Sequence, residues 1–325
     1  MKFSRLGVFL FIISIVSLGT SCGYYNRVMA RKDLVDGSNE YKNRKFGEAE
    51  RLFRNAVGRD PNGSTEEGRT AQLFLARTLH SEYIGDRQKV NLAEDAIAQY
   101  QKALQQNPKD QSSYKAIASL YENLEKKDEW LKWVTARSAN AGLPPEQRAE
   151  AFTSLANKKN TCANNITDTE ATKKTVTKDG KQSFQFVKPV SSEDYESLKA
   201  CIDDGTRLID QAIALEPAEV KNAAGINVKS MSDKDLVAKQ DLLRVFESAR
   251  SYKASLLFQA MRLAEMDNRI PDRDRLKTEG EAARNNFIDL SKVGKRIEAE
   301  IDERVAAAEA AKVGNTAGKA ASNTK

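Results

Sequence analysis

Apolar and small residues recur at three- and four-residue intervals along most of the chain, which predicts a series of amphipathic helices. In the stretch 37–61, Ala49, Phe53 and Ala56 fall on one helix face. Pro61 follows, within the turn-forming sequence Asp-Pro-Asn-Gly, and predicts the end of this helix. The pattern therefore predicts helices that each bury one face against a neighbour.

Small and aromatic residues return at similar offsets further along the chain. In the first two segments these positions are Gly37, Tyr41, Phe46, Ala49, Phe53, Ala56 and Pro61, and then Ala76, Ala96, Tyr100, Ala103 and Pro108. The spacing resembles the tetratricopeptide repeat (TPR), in which small residues lie where two antiparallel helices approach. The resemblance implies an all-α fold over residues 36–217, a TPR-like right-handed α-solenoid of antiparallel helix pairs.

Two later repeats match this pattern more loosely. The third repeat keeps Ala118 and Tyr121 but has Trp130 where the pattern has a small residue. The fourth repeat has one helix around Leu155 and a second helix that ends at Pro217. A long insert separates these two helices, so the fourth repeat is divided in the sequence.

Two insertions interrupt the repeats. The second repeat is longer than the pattern requires, which predicts an insertion around 84–91 at the turn between its helices. The fourth repeat is interrupted at about 167–190, where an Asp-Gly dipeptide lies between β-forming segments and predicts a β-hairpin. Phe184 and Phe186 share one face of its second strand and are expected to lie against the helices. A polar insert without regular structure is the alternative.

The C-terminal part of the chain keeps helical periodicity but loses the repeat. We expect residues 218–311 to form a helical region that caps the solenoid, because each repeat buries its apolar face only against a neighbour. Residues 312–325 contain few apolar side chains, and we expect them to form a disordered tail.

The N-terminal segment has a basic start and an uncharged, mostly apolar run, Leu6–Thr20. This run is shorter than the roughly 20 apolar residues that span a bilayer, and it fits a cleaved signal peptide over residues 1–21. The sequence Leu-Gly-Thr-Ser-Cys, which ends at Cys22, also resembles the lipobox of bacterial lipoproteins. That resemblance implies lipidation of Cys22 and a lipidated tether over residues 22–35. An ordinary cleaved signal peptide is the alternative.

Lipidation of Cys22 leaves Cys162 and Cys201 as an even pair in an exported chain, where disulfides persist. In the repeat pattern, Cys162 falls near the end of the first helix of the fourth repeat and Cys201 near the start of the second. Antiparallel packing brings these positions together, so we expect a structural disulfide at the base of the insert. Two free buried thiols are the alternative.

The charge pattern and the missing motifs limit the function. Charged residues make up 30% of the chain with both signs interspersed, and without Lys2 and Arg5 of the signal peptide the net charge falls from +6 to +4. This balance requires neither nucleic acid nor an anionic membrane as a partner. The chain has one histidine, no zinc-ligand spacing, no glycine-rich phosphate loop and no Gly-x-Ser-x-Gly motif. We expect no enzymatic activity, no cofactor and no metal; a hydrolase with paired carboxylates is the enzymatic alternative.

In TPR folds the first helices of successive repeats line a concave groove that accepts peptides or helices. Carried over by position, the resemblance implies a peptide-binding groove for a protein partner, although each position also suits an ordinary surface residue. The groove positions are Tyr41 and Lys42 in the first repeat, Leu73, Arg77 and His80 in the second, Lys115, Ser119 and Glu122 in the third, and Thr153, Asn157 and Asn160 in the fourth.

These features favour a membrane-anchored TPR scaffold or adaptor lipoprotein that mediates protein–protein interactions in assembly or secretion at the bacterial cell envelope. We expect it to be exported and anchored to the outer membrane, facing the periplasm or the cell surface. The alternative is a lipoprotein that binds an envelope polymer, either peptidoglycan or polysaccharide. The sequence leaves the oligomeric state open.

Overall fold

The protein is almost entirely helical. The computed structural model describes the backbone of residues 5–178 and 180–322, and the side chains of residues 23–177, 180 and 182–311. The described backbone contains eleven α-helices and one two-stranded sheet. The predicted all-α fold of helix pairs with a small hairpin is confirmed. In the described part of the chain, no helix combines the length and the apolar character that a membrane span requires.

The N-terminal unit, Met1–Trp130, is a stack of antiparallel helix pairs. Its helices are α1 (Arg5–Lys42), α2 (Phe46–Arg59), α3 (Glu66–Gly85), α4 (Val90–Gln106), α5 (Gln111–Asn123) and the start of α6 (Lys127–Ala139). Helix α1 packs on α2, α3 packs on α4, and α2 also packs on α3, so each pair contacts the next. This is the arrangement of a TPR-like α-solenoid.

Small residues set the distance between α1 and α2. A Cβ added to Gly37 would lie 2.8 Å from Cε1 of Phe53. Any side chain larger than that of glycine would therefore clash with the Phe53 ring. Ala49 and Ala56 of α2 are fully buried. The small and aromatic positions that carry the repeat pattern therefore form the contact between these helices.

The stretch predicted as a lipidated tether, residues 22–35, lies within helix α1. Ala30 and Asp33 are buried, and Arg59 of α2 donates a hydrogen bond to Asp33. The second half of this stretch is thus packed on the helical stack instead of hanging free. The side chains of the predicted signal peptide and of Cys22 lie outside the described residues.

The C-terminal unit, Leu131–Lys325, contains two more antiparallel pairs. Its helices after α6 are α7 (Pro145–Thr167), α8 (Ser192–Ala214), α9 (Ala218–Lys221), α10 (Asp233–Met266) and α11 (Ile270–Ser322). Helix α7 pairs with α8, α10 pairs with α11, and α10 also packs on α7 and α8. The region expected to cap the stack, 218–311, therefore contributes a further helix pair. Two short 3₁₀ turns, Ala223–Gly225 and Val228–Ser230, precede this pair.

Helix α11 continues through residues 312–322, a stretch that we expected to belong to a disordered tail. Alanine and lysine are frequent here, and both favour a helical backbone without a buried apolar face. The low apolar content, on which the expectation rested, does not by itself exclude a helix.

The insert between α7 and α8 forms the predicted hairpin, β1 (Lys173–Lys178) and β2 (Lys181–Phe186). Phe186 packs with Leu198 of α8 and Leu263 of α10, as expected. Phe184 is 58% exposed, so the expectation that it also lies on the helices is wrong. The reason is its place two residues nearer the turn, where its ring is covered by Lys173, whose Nζ lies 4.4 Å from the ring centroid.

A disulfide joins Cys162 of α7 to Cys201 of α8, with an Sγ–Sγ distance of 2.06 Å. Close by, Lys159 Nζ donates to Asp204 Oδ2 at 2.7 Å, which adds a second link between the same helices. These links hold α7 and α8 together although the hairpin separates them in sequence.

Candidate functional site

A pocket of about 480 Å³ opens in the N-terminal unit beside the C-terminal half of α3. Side chains from α1, α2, α3, α4 and the turn after α1 converge on it. The lining residues are Tyr41, Arg44, Phe46, Arg77, His80, Ser81, Ile84, Gly85 and Tyr100. Three of the predicted groove residues, Tyr41, Arg77 and His80, are thus brought together in one pocket.

Tyr41 forms the wall of the pocket on α1. Its hydroxyl lies 3.1 Å from Oγ of Ser81 on α3, which fixes the phenol between the two helices. Its ring packs edge-on against Phe74, with centroids 6.1 Å apart, and is tilted against Phe46 at 5.4 Å. These contacts hold a rigid aromatic surface at the pocket mouth.

His80 and Tyr100 form the inner wall. The Tyr100 hydroxyl lies 3.4 Å from Nδ1 of His80, and the two rings meet edge to face. Burial lowers the pKa of His80, and the positive charge of Arg87 lowers it further. Burial also raises the pKa of Tyr100. Both side chains are therefore neutral near pH 7 and present polar hydrogen-bonding atoms without charge.

Two arginines give the pocket its charge. Arg77 donates to Oγ of Ser112 on α5 at 3.3 Å and lies 5.5 Å from the centroid of the Phe74 ring. Arg44 has a positive φ of 59° in the turn between α1 and α2, which directs the chain from one helix into the next. Neither arginine forms an ion pair within the described residues, and no carboxylate is among the pocket-lining residues. The lining of the pocket therefore carries two positive charges that no carboxylate of the lining balances.

The remaining groove positions of the N-terminal unit lie outside this pocket. Lys42 is exposed one residue after Tyr41, and Leu73 is half-buried on α3. Lys115, Ser119 and Glu122 are exposed on α5. A role for these five residues in binding stays a prediction.

The fourth-repeat positions do not form an open wall. Thr153 and Asn160 are buried, so their assignment to a groove surface is wrong. Thr153 donates to the carbonyl of Ala149 on its own helix, and Ser255 of α10 donates to Oδ1 of Asn160 at 2.8 Å. Helix α10 covers this face of α7. Asn157 is half-buried, and its role in binding stays a prediction.

The covered face of α7 is polar, and its polar residues therefore predicted a solvent-exposed surface. Gln259 of α10 donates to Asn164 and accepts from Oγ1 of Thr167 at 3.0 Å, and Arg262 lies 3.3 Å from the same hydroxyl. The polar groups on α7 and α10 thus satisfy each other's hydrogen bonds within the interface. The matching residues are far apart in sequence, so neither helix alone reveals the contact.

Six pocket residues were not predicted from the sequence: Arg44, Phe46, Ser81, Ile84, Gly85 and Tyr100. The insertion predicted around 84–91 was the available signal. It lengthens α3 to Gly85 and leaves only a short turn before α4, so the added helical residues Ile84 and Gly85 reach the pocket.

Within the described residues, no group of three or more His, Cys, Asp or Glu side chains is arranged to hold a metal ion.

Comparison with known proteins adds little. No protein-family model matches the chain, and no curated protein matches it. One solved structure, from work on the functional characterization of Pseudomonas aeruginosa pilF, is 14% identical and covers 83% of this chain and 99% of its own, with a TM-score of 0.32. A likeness at this TM-score carries no argument about the fold or function, so the helix pairs themselves carry the assignment.

Proposed function

We propose that the chain is a TPR-like scaffold of the bacterial cell envelope and that the pocket formed by Tyr41, Arg77 and His80 binds a segment of a partner protein. The supporting observation is the pair of arginines, Arg44 and Arg77, that have no carboxylate partner beside a fixed aromatic surface. Arginine and aromatic side chains are enriched among the residues that dominate protein–protein binding energies.

The chemistry of the pocket selects the kind of segment. A carboxylate between Arg44 and Arg77 would form charge-assisted hydrogen bonds, which are stronger than those between neutral groups. An adjacent aromatic or aliphatic side chain would cover Tyr41 and Ile84, which is 47% exposed. The partner segment is thus expected to place Asp or Glu beside a large apolar residue.

This proposal assigns binding and not catalysis to the pocket. His80 is paired with the Tyr100 hydroxyl, and no serine, cysteine or carboxylate beside it completes a nucleophile and base arrangement in the described lining, where Ser81 is paired with Tyr41. His80 and Tyr100 are both neutral, which suits hydrogen bonding to a peptide backbone.

A photocrosslinking amino acid placed at residue 84 tests the binding proposal in cells. Val90, which is 45% exposed on α4 and outside the pocket lining, is the matched control position for Ile84. We expect a discrete crosslinked partner from position 84 and none from position 90. The crosslinked peptide should contain Asp or Glu, and the crosslink should be lost in Arg77→Glu but kept in Lys102→Glu, a charge reversal at an exposed site on α4.

Equal crosslinking from both positions, or a crosslink that survives Arg77→Glu, would contradict this proposal. Sedimentation with purified sacculi in the absence of a protein crosslink would support the envelope-polymer alternative instead.

Attachment to the membrane through Cys22 is a separate part of the proposal and rests on the Leu-Gly-Thr-Ser-Cys sequence. Cys22→Ala should abolish incorporation of labelled palmitate and release the protein from the membrane fraction or leave it unprocessed. Acyl labelling that is unchanged in Cys22→Ala would rule out lipidation at this residue.

A further inference from the structure

A second cavity, of about 680 Å³, opens as a slot on the C-terminal unit. It lies between the end of α8 and helix α11, with α10 beneath it. Leu257 of α10 and Leu290 and Val293 of α11 are buried and give the slot an apolar floor. Ala282 and Ala283 line α11 and leave the space open, because neither side chain extends beyond its Cβ.

The slot follows helix α11. Its lining on α11 extends from Glu279 to Val293, which is roughly 20 Å at 1.5 Å per residue. An extended peptide needs hydrogen-bond partners for its backbone, whereas the α-helices around the slot satisfy their own backbone groups. A single alkyl chain needs no such partners.

Most charged side chains that line the slot are already neutralised. The pairs are Arg250 with Glu216, Lys253 with Asp210, Glu279 with Arg275, and Asp289 with Lys292. Each lining charge in these pairs is balanced by a neighbour, so the length of the slot offers an apolar surface with little net charge.

Two cations lack this balance: Lys221, which lines the slot, and Arg296, which lies beside it on α11. Lys221 lines the slot beside the buried Val220. Arg296 Nη2 donates to the carbonyl of Ala224 at 3.2 Å, which places its guanidinium at the same turn. Lys221 and Arg296 form no ion pair with any residue that the structure describes. An anion beside these two cations would be attracted by both.

We propose that the slot binds a long-chain carboxylate, with the alkyl chain over Leu257 and Leu290 and the carboxylate at Lys221 and Arg296. The arrangement is that of an amphiphile site, in which an apolar channel lies beside a positive cluster. This inference stands on the C-terminal unit alone and does not depend on the function proposed for the N-terminal pocket.

Calorimetric titration of the full protein with palmitate tests the proposal. We expect one saturable site, weakened at least ten-fold by Lys221→Glu combined with Arg296→Glu. Ala282→Leu, which fills the slot, should weaken binding by a similar factor. Ala307→Leu is the control, because residue 307 is exposed on the same helix beyond the slot, and it should bind palmitate like the unaltered protein.

Hexadecyltrimethylammonium, which has the same chain and a cationic head, should bind at least ten-fold more weakly than palmitate. Equal binding of the two amphiphiles, or unchanged palmitate binding after the double charge reversal, would overturn the proposal. Lys221 and Arg296 are both exposed, so their reversal removes no buried side chain and breaks only the hydrogen bond from Arg296 to Ala224. The test therefore remains decisive if Ala282→Leu disturbs the fold.

Discussion

Arg59 of α2 donates from Nε to Oδ2 of Asp33 on α1 over 3.0 Å, and Asp33 is only 6% exposed. This pair connects the middle of the first helix to the last turn of the second. It therefore fixes residues that the sequence analysis placed in a tether. The partner side chain, Arg59, is partly open to solvent, which moderates the energy of the pair.

Asp33→Ala should lower the free energy of unfolding of the N-terminal unit by about 1–2 kcal/mol, because the Arg59 guanidinium is left without its acceptor. Urea unfolding followed by circular dichroism measures the change. The control is Asp36→Ala, which removes only the exposed pair with Lys32 and should change stability by less than about 0.5 kcal/mol. Equal losses of unfolding free energy in the two variants would show that the buried pair with Arg59 contributes no more stability than the exposed pair with Lys32.

Gly37→Ala should destabilise the protein by about 1–3 kcal/mol, because the new Cβ would lie 2.8 Å from the Phe53 ring. Thermal unfolding gives the measurement. In contrast, Gly47→Ala on α2 meets no atom within 4 Å and should leave stability unchanged or raise it by up to about 1 kcal/mol.

A second substitution identifies the cause. Phe53→Leu added to Gly37→Ala should recover part of the loss, since the smaller side chain vacates the space that the new methyl group needs. Phe53→Leu alone is measured as well. If the double variant loses as much stability as the two single variants together, or more, the clash is not the source of the destabilisation.

Replacing Cys162 and Cys201 together by alanine should lower the stability of the C-terminal unit by about 3–4 kcal/mol, because the bond restricts the unfolded chain over a separation of 39 residues. Urea unfolding of the oxidised protein, with and without reductant, measures this. Reductant should have the same effect as the double substitution and no effect on the double variant. Free alkylation of both thiols in the folded, non-reduced protein would show that the bond is absent.

The stability contributed by His80 should depend on pH. Because the pKa of His80 is lowered in the folded protein from its ordinary value of 6.5, the unfolded chain takes up a proton that the folded chain resists. This stability is fully present above pH 6.5 and is lost as the pH falls towards the lowered pKa. Urea midpoints of the unaltered protein should therefore fall more steeply below pH 6.5 than those of His80→Gln.

The chain contains one histidine, so an NMR titration reports the pKa of His80 without ambiguity. A folded-state pKa at or above 6.5 would exclude the buried, neutral imidazole on which the description of the pocket rests. Parallel pH profiles of the unaltered protein and His80→Gln would lead to the same conclusion.

The sequence was sufficient where the physical signal is local. Ala49, Phe53 and Ala56 repeat at spacings that follow from helix geometry, and these positions form the contact of α2 with its partner. The hairpin was also predictable, because its turn signal and its β-forming residues are adjacent in the chain.

The sequence was insufficient where the partner is distant. Thr153 and Asn160 are polar, and a polar helical face reads as exposed unless its complement is known. Their cover, which includes Ser255, lies almost a hundred residues away. The pocket also combines distant residues, since Arg44 reaches it from the turn after α1 and Tyr100 reaches it from α4.

The bond between Cys162 and Cys201 keeps the chain joined on both sides of the hairpin even if the hairpin is cut. A protease that cuts between β1 and β2 would leave two fragments of the chain covalently joined, and they would separate on a denaturing gel only after reduction. Helices α7 and α8 would keep their pairing across such a cut. We therefore expect that a peptide tag or a whole domain inserted between β1 and β2 leaves the helical framework joined by this bond.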